Sequence, residues 1–348
     1  MSDHNIFSAL EALGKVMVNL GTDQEHNNHD WGITEEEHLK LLTTINKQFQ
    51  YNGWFTKEAV KESLKNLGAL LKAEDLKNWK LKYTFKSENK RVAIIMAGNI
   101  PLVGFHDFLS VLVSGNIAVC KLSSDDKTLL PALCEILIRF EPSLKDRFEF
   151  SFGKLENIDA VIATGSNNSA QYFEKYFGKY PNIIRKGRTS VAVITGQETE
   201  EELKALGKDI FQYFGLGCRN VTQLLIPSDF DINRFFAGIV DYGDVINHHK
   251  YANNYDYYKA IYLMNQEQLL ENGFLLTKES DELFSPIAVL YWHKYHTEDE
   301  VNGYLDKHKE QIQAIVGKDY IPFGKAQTPS LTDYADNIDT LNFLAKMD

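Results

Sequence analysis

Cysteine is scarce in this chain. Only Cys120, Cys134 and Cys218 occur among 348 residues, too few and too odd a number for a disulfide framework, so a reducing compartment is expected. Proline and glycine are also thin, at 8 and 22 residues, which leaves no collagenous or linker-like bulk. Positive charge is outnumbered, 37 basic against 48 acidic residues, for a formal net charge of −11. A generic phosphate-backbone binder needs a basic face to release counterions, so nucleic acid is excluded as a partner, while a small anion in a local basic pocket is not. Long apolar runs are missing too. The most apolar stretch, 92–120, is interrupted by Asn99, Pro101, His106, Asp107 and Asn116, whereas a membrane span needs ~20 mostly apolar residues. The first twenty residues contain Asp3 and Glu11 and no unbroken apolar segment of a signal peptide. A soluble, cytoplasmic protein without stable membrane insertion is the expectation. His248 and His249 are adjacent rather than four apart, and no Cys/His spacing suits a metal, so none is expected.

Apolar residues make up 44% and charged residues 24%, the balance of a packed protein, and the length corresponds to about two domains. The first 75 or so residues read as helices. Ile6, Phe7, Leu10, Leu13, Met17 and Leu20 fall on one face. Thr34 and Glu37 form a capping box before a stripe of Leu39, Leu42, Ile45 and Phe49, and a third helix is predicted over 56–71. The texture then changes to continuous apolar runs of strand length at 91–96, 117–122 and 160–163, with helical patterns at 102–113 and 127–140 between them. Such alternation implies βαβ crossovers and a mostly parallel sheet covered on both faces. A strand over 190–195, a helix over 198–214 and a second series of strands and helices from Val221 onward follow, including 230–240, a Tyr-rich stretch at 251–262 and a strand at 287–292. A short domain boundary is expected at 186–190.

Cys218 stands in the segment FGLGCRN, after a helix and before a strand. Its glycines permit close approach by a substrate, and Arg219 is a cation that favours the thiolate, the reactive species. Cys120 and Cys134 lie within apolar patterns and read as core. Asn99 follows the strand at 91–96, where open α/β sheets place ligands; it suits an oxyanion donor, or simply shapes the turn before Pro101. Lys121 with Ser123 and Ser124 follows the next strand and suits a ribose or phosphate, or a serine-capped helix entry. Thr164, Gly165 and Ser166 follow the strand at 160–163 and suit a pyrophosphate, or an N-cap. Three such strand ends in a row favour the ligand reading. Arg185, Lys186 and Arg188 form a basic island suited to a ligand with several phosphates. The aromatic residues Phe235, Tyr251, Tyr257 and Tyr258 suit the lining of an apolar tunnel, with helix core the favoured alternative.

Taken in order, strand-Asn99, strand-Lys121, Thr164 to Ser166, Gly-x-Gly-Cys218 and Glu282-x-Phe284 resemble the aldehyde dehydrogenase superfamily, and in particular the LuxC-like acyl-CoA reductases. The segment PFGKAQTPSLTDYAD at 322–336 is similar to the tail of that group. The resemblance implies an α/β, aldehyde-dehydrogenase-like fold, with a Rossmann-type parallel-sheet cofactor domain and a smaller α/β catalytic domain. It divides the chain into an N-terminal helical segment of the cofactor domain (1–80), a nicotinamide-binding domain (81–186), a catalytic domain (187–320) and a tail (321–348) returning to the cofactor domain or an oligomer interface. It implies Cys218 as nucleophile on an acyl-CoA or acyl-carrier thioester, Asn99 as oxyanion donor, and reduction of the acyl-cysteine to an aldehyde. Glu282 is implied as a clamp on the nicotinamide ribose, with an acid/base role as the alternative, and Phe284 as a cofactor contact. Hydrolytic members carry a glutamate where this chain has Arg185, so water attack should be slow. They often carry a second glutamate, on the adenosine ribose, where it has Ser124, which favours NADPH with NADH as the alternative. A homo-oligomer is implied. The competing readings are an acyl-phosphate reductase of the glutamyl-phosphate type and a cysteine acyltransferase or thioesterase without hydride transfer.

Overall fold

Apolar runs flanked by helical patterns become parallel strands in the computed structural model, which describes residues 3–26, 31–86 and 89–347. The chain divides into two units, Met1–Lys186 with Ser330–Asp348, and Gly187–Pro329.

Unit one begins with helices α1 (Asp3–Gly21), α2 (Glu35–Tyr51), α3 (Lys57–Gly68) and α4 (Ala73–Lys80). The α1 face predicted from spacing is buried, Leu10, Leu13, Met17 and Leu20 all being closed to solvent. Gly14 and Gly68 let α1 and α3 touch: a Cβ on Gly14 would lie 2.7 Å from the Gly68 carbonyl oxygen. The Thr34–Glu37 capping box is formed. The stripe expected on α2 is used in part: Ile45 is buried and Leu42 packs on the core, whereas Leu39 and Phe49 are 54% and 53% exposed and Leu41 and Gln48 face inward instead. Gln48 tolerates burial because its Nε2 donates to Thr44 O and Thr128 Oγ1, so the inward face includes a polar residue that hydrophobic periodicity passes over.

A five-stranded sheet follows, from β1 (Arg91–Ile95), α5 (Phe105–Val113), β2 (Ile117–Lys121), α6 (Leu129–Phe140), β3 (Phe148–Phe150), β4 (Ala160–Thr164), α7 (Asn167–Phe177) and β5 (Asn182–Arg185). Its order is β3-β2-β1-β4-β5 and every pair is parallel. The chain steps outward from β1 to β3, then crosses back to β4, so the carboxyl ends of β1 and β4 border a topological switch point, where open α/β sheets bind ligands.

Unit two contains β6 (Thr189–Val193), α8 (Glu200–Phe211), β7 (Val221–Pro227), α9 (Ile232–Gly238), α10 (His249–Met264), β8 (Leu270–Glu271), β9 (Leu276–Glu279), β10 (Val289–Tyr295), α11 (Glu298–His308) and β11 (Ile312–Val316). Its sheet runs β11-β6-β7-β10-β9-β8, parallel except for β8 against β9. The Tyr-rich stretch is α10; Tyr251 and Tyr255 are core, as is Phe235 of α9, while Tyr257 is 59% exposed. The helix predicted over 198–214 stops at Phe211, because Tyr213 and Phe214 turn left-handed (φ 53° and 59°).

The last segment rejoins unit one through α12 (Thr340–Ala345). Its Leu341 and Leu344 are fully buried. Trp79 Nε1 donates to Tyr334 Oη at 2.8 Å, and Tyr83 Oη donates to Asp339 Oδ2 at 2.8 Å. Among the described residues no helix is long and apolar enough to cross a membrane, and no cluster of His, Cys, Asp or Glu is placed to hold a metal.

Candidate active site

In unit two the end of α8 sets up the cysteine. Asn220 is fully buried and works in both directions. Its Nδ2 donates to the carbonyls of Asp209, Ile210 and Gln212 at 3.0, 3.2 and 2.8 Å, satisfying groups that a helix end leaves open. Its Oδ1 accepts the Gly217 N–H at 2.8 Å. The chain thus folds back on itself within a few residues, through left-handed Tyr213, Phe214 and Gly215 (φ 80°), and presents Cys218 on a turn. Two aromatic residues in that region are strained by roughly 1–3 kcal/mol each, and the Asn220 network holds them there. The Phe214 ring packs on His248 with centroids 4.3 Å apart. Ser190 Oγ donates to the Cys218 carbonyl at 3.1 Å, which fixes the turn to β6.

Cys218 is half-buried, whereas Cys120 and Cys134 are sealed in the core of unit one, where burial pushes both thiols far above their ordinary acidity range. Two exposed residues, Glu282 and Phe284, lie on a segment fastened to β7. There Thr222 Oγ1 donates to Leu283 O at 2.7 Å and Gln223 Nε2 to Ser280 O at 2.8 Å. Cys218 and this segment therefore both gather at the amino ends of β7 and β10. Behind Cys218, Asp209 of α8 accepts the N–H groups of Gly324 and Ala326 at 2.6 and 3.0 Å. Burial pushes its carboxyl up to about 6, against the lowering effect of those two donors. This anchors the PFGKAQ segment, whose Ala326 carbonyl lies 3.5 Å from Arg219 Nη1.

In unit one the strand ends carry the other candidates. Asn99 is exposed on the loop after β1. Lys121 ends β2, half-buried, and its Nζ donates to Gly153 O at 3.2 Å. Ser123 is half-buried and Ser124 exposed just beyond it. Thr164 ends β4, Gly165 follows, and Ser166 caps α7 by accepting the Ser169 N–H at 3.3 Å. Asn99, Thr164, Gly165 and Ser166 thus border the switch point, with Lys121, Ser123 and Ser124 one strand away.

Within the basic island, Arg185 is taken up by the fold. Arg185 is 3% exposed and grips Asp107 of α5 with both Nη atoms, Nη2 to Oδ1 at 2.9 Å, and Nη2 also donates to Thr340 Oγ1 at 3.1 Å. Lys186 pairs with Glu174 at 3.2 Å, and Arg188 Nη1 donates to Ile312 O at 3.3 Å. The buried Arg185 charge is thus used in holding the fold, while Lys186 stays on the surface. Sequence reasoning passed over Asn220, Asp209 and Asp107 because their partners are backbone groups or lie far along the chain.

The fold, an open parallel sheet in unit one and a second α/β unit, is aldehyde-dehydrogenase-like. Aldehyde dehydrogenase 21 from Physcomitrella patens, solved with its reaction product succinate, matches with a TM-score of 0.66 at 12% identity, over 92% of this chain and 74% of that one. An aldehyde dehydrogenase from Mycobacterium tuberculosis complexed with NAD+ matches with a TM-score of 0.62 at 15% identity, over 91% and 73%. An E. coli NADP-dependent enzyme gives 0.64 at 12%, over 91% and 73%. Identities this low establish the fold. The family model described as acyl-CoA reductase (LuxC) matches residues 4–234, and the chain belongs to that family. No curated protein matches it.

Proposed function

We propose that this chain reduces an acyl group on CoA or another thiol carrier to an aldehyde, through an acyl-cysteine on Cys218. One observation carries the reading: Cys218, alone of the three cysteines, is accessible, on a turn pinned by Asn220, inside the stretch matched by the acyl-CoA reductase family. As thiolate, Sγ attacks the thioester carbonyl carbon and the C=O electron pair moves to oxygen. The Cys218 backbone N–H and the Asn99 amide stabilise that oxyanion. Collapse breaks the bond to the carrier sulfur, which leaves as thiolate and takes up a proton, and the acyl group remains on Cys218.

The strand ends of unit one fit a nicotinamide dinucleotide. Lys121 has two N–H groups left beyond its bond to Gly153. Ser123, Ser124 and Thr164 supply hydroxyls, and the N-terminus of α7 at Gly165 and Ser166 suits a diphosphate. Glu282 and Phe284 would meet the nicotinamide ribose and ring. A nicotinamide bound there supplies the hydride that converts an acyl-cysteine to an aldehyde. Ser124, where a carboxylate would repel it, leaves room for a 2′-phosphate beside Lys121, so NADPH is the expected form. Ser124→Glu should weaken NADPH binding ~10-fold or more relative to NADH, measured as Kd by cofactor fluorescence. Equal wild-type affinities for the two cofactors would contradict the assignment. On Glu282→Gln, a rise in cofactor KM alone marks a ribose clamp, and slower acylation marks an acid/base.

The deciding experiment is intact mass after mixing with acyl-CoAs of graded length, then NADPH. An adduct on Cys218 that disappears with NADPH supports the reductase. An adduct unaffected by NADPH indicates an acyltransferase or thioesterase, and the absence of any adduct rejects the mechanism.

A further inference from the structure

The loop carrying Asn99 is held on both sides by three buried side chains from separate parts of unit one. Asn52, which ends α2, donates from Nδ2 to Gly98 O at 2.9 Å. Ser63 of α3 donates from Oγ to Pro101 O at 2.8 Å. Asp126, in the segment between β2 and α6, accepts the Leu102 N–H at 2.7 Å through Oδ2. The three are 7%, 3% and 7% exposed, while Asn99 between them is open to solvent. Leu102 is left-handed (φ 58°), a backbone that leucine adopts under constraint. At the other end, a Cβ on Gly98 would lie 2.5 Å from Ser123 Oγ, so the loop is also pressed against the segment after β2.

An Asn-x-Pro turn needs none of this support, because asparagine and proline shape such turns locally. Asp126 makes the point most sharply. Its Oδ1 is buried without a hydrogen-bond partner, and burial pushes its carboxyl up to about 6, all to hold one backbone N–H. Polar groups buried at such disadvantage are typical of sites where a donor must be preorganised. We propose that Asn52, Ser63 and Asp126 are positioning residues that fix the Asn99 side-chain amide as an oxyanion donor. The proposal rests on the role given to Asn99 above.

The test is the rate of acylation of full-length protein by an acyl-CoA, followed as thiol release in a single turnover, with thermal unfolding recorded alongside. Asn99→Ala should slow acylation ~10²–10³-fold. Ser63→Ala and Asp126→Ala should each slow it ~10–10²-fold, the effect of a donor displaced by about an ångström. In the Asn99→Ala background the same changes should cost within ~threefold, since their effect passes through Asn99. Asp126→Asn keeps an oxygen for the Leu102 N–H and should stay within ~threefold of wild type. Should Asp126→Ala fail to fold, Ser63→Ala, which removes one hydroxyl, carries the cycle. Equal losses with and without Asn99 overturn the proposal and leave the oxyanion role intact. An unchanged rate in Asn99→Ala overturns both, and wild type that forms no acyl-enzyme overturns the reductase reading as well.

Discussion

Replacing Arg185 by methionine separates a structural arginine from a ligand-binding one. The guanidinium holds Asp107 through two nitrogens and reaches Thr340 Oγ1 at 3.1 Å, so β5, α5 and the returning helix α12 meet at one charge. Asp107 is 6% exposed, and removing its cation leaves a carboxylate in the core. Breaking such a pair costs about 3–5 kcal/mol. For a unit of ~200 residues, where 1 kcal/mol moves Tm by ~2–4 °C, unfolding should fall by ~6–20 °C, read by circular dichroism or calorimetry. The double variant Arg185→Met/Asp107→Leu, which replaces both charges with apolar groups, should recover most of that loss. A shift under ~2 °C, or a raised cofactor KM at unchanged Tm, would show that the arginine serves a ligand and would refute the structural assignment.

Two further outcomes follow from unit two. Asn220→Ala strips a partner from the carbonyls of Asp209 and Ile210 in α8, from that of Gln212 just after it, and from the Gly217 N–H. It should cost about 2–4 kcal/mol in stability, read from urea titrations; an unchanged unfolding midpoint would show that the turn holds without it. Asp209 tests pH dependence. Its carboxyl rises from an ordinary 3.8 to about 6 in the folded protein, so the native state binds the extra proton between those values and stability from this group falls as pH rises through 4–6. The shift corresponds to about 3 kcal/mol. The stability of Asp209→Asn relative to wild type should therefore increase by about that amount between pH 4 and pH 7 in urea titrations, and a flat difference would show that the carboxyl is not perturbed.

The sheet of unit one is legible in the sequence because its strands are covered on both faces: Val92, Ala93 and Ile94, or Ala160 to Ala163, leave no polar position to alternate with. The capping box at Thr34 is legible because it is local. So is Cys218, whose glycine and arginine neighbours set it apart from Cys120 and Cys134. Legibility fails where a polar side chain is committed far away. Arg185 finds Asp107 seventy-eight residues earlier, Ser63 finds Pro101 thirty-eight later, and Gln48 finds Thr128 eighty later. From the sequence, Arg185 looks like free charge, Ser63 like surface, and Gln48 like the outside of a helix. The end of α8 is hidden for a related reason: Tyr213 and Phe214 have no preference for a left-handed turn, and the Asn220 side chain that pins it stands several residues on.

The return of residues 330–347 to unit one has a consequence for the order of assembly during synthesis. Unit two emerges from the ribosome whole, whereas unit one must wait, its Trp79 and Tyr83 lacking Tyr334 and Asp339 until the final stretch arrives. Through most of translation its largest apolar cluster lacks Leu331, Leu341, Leu344 and Met347. Domains usually fold as units, the N-terminal one first; here unit two is the first to have all its residues synthesised. A nascent unit one is therefore the species most in need of a chaperone, and a ribosome stalled short of residue 330 would release a chain whose cysteine unit is finished while the other remains open.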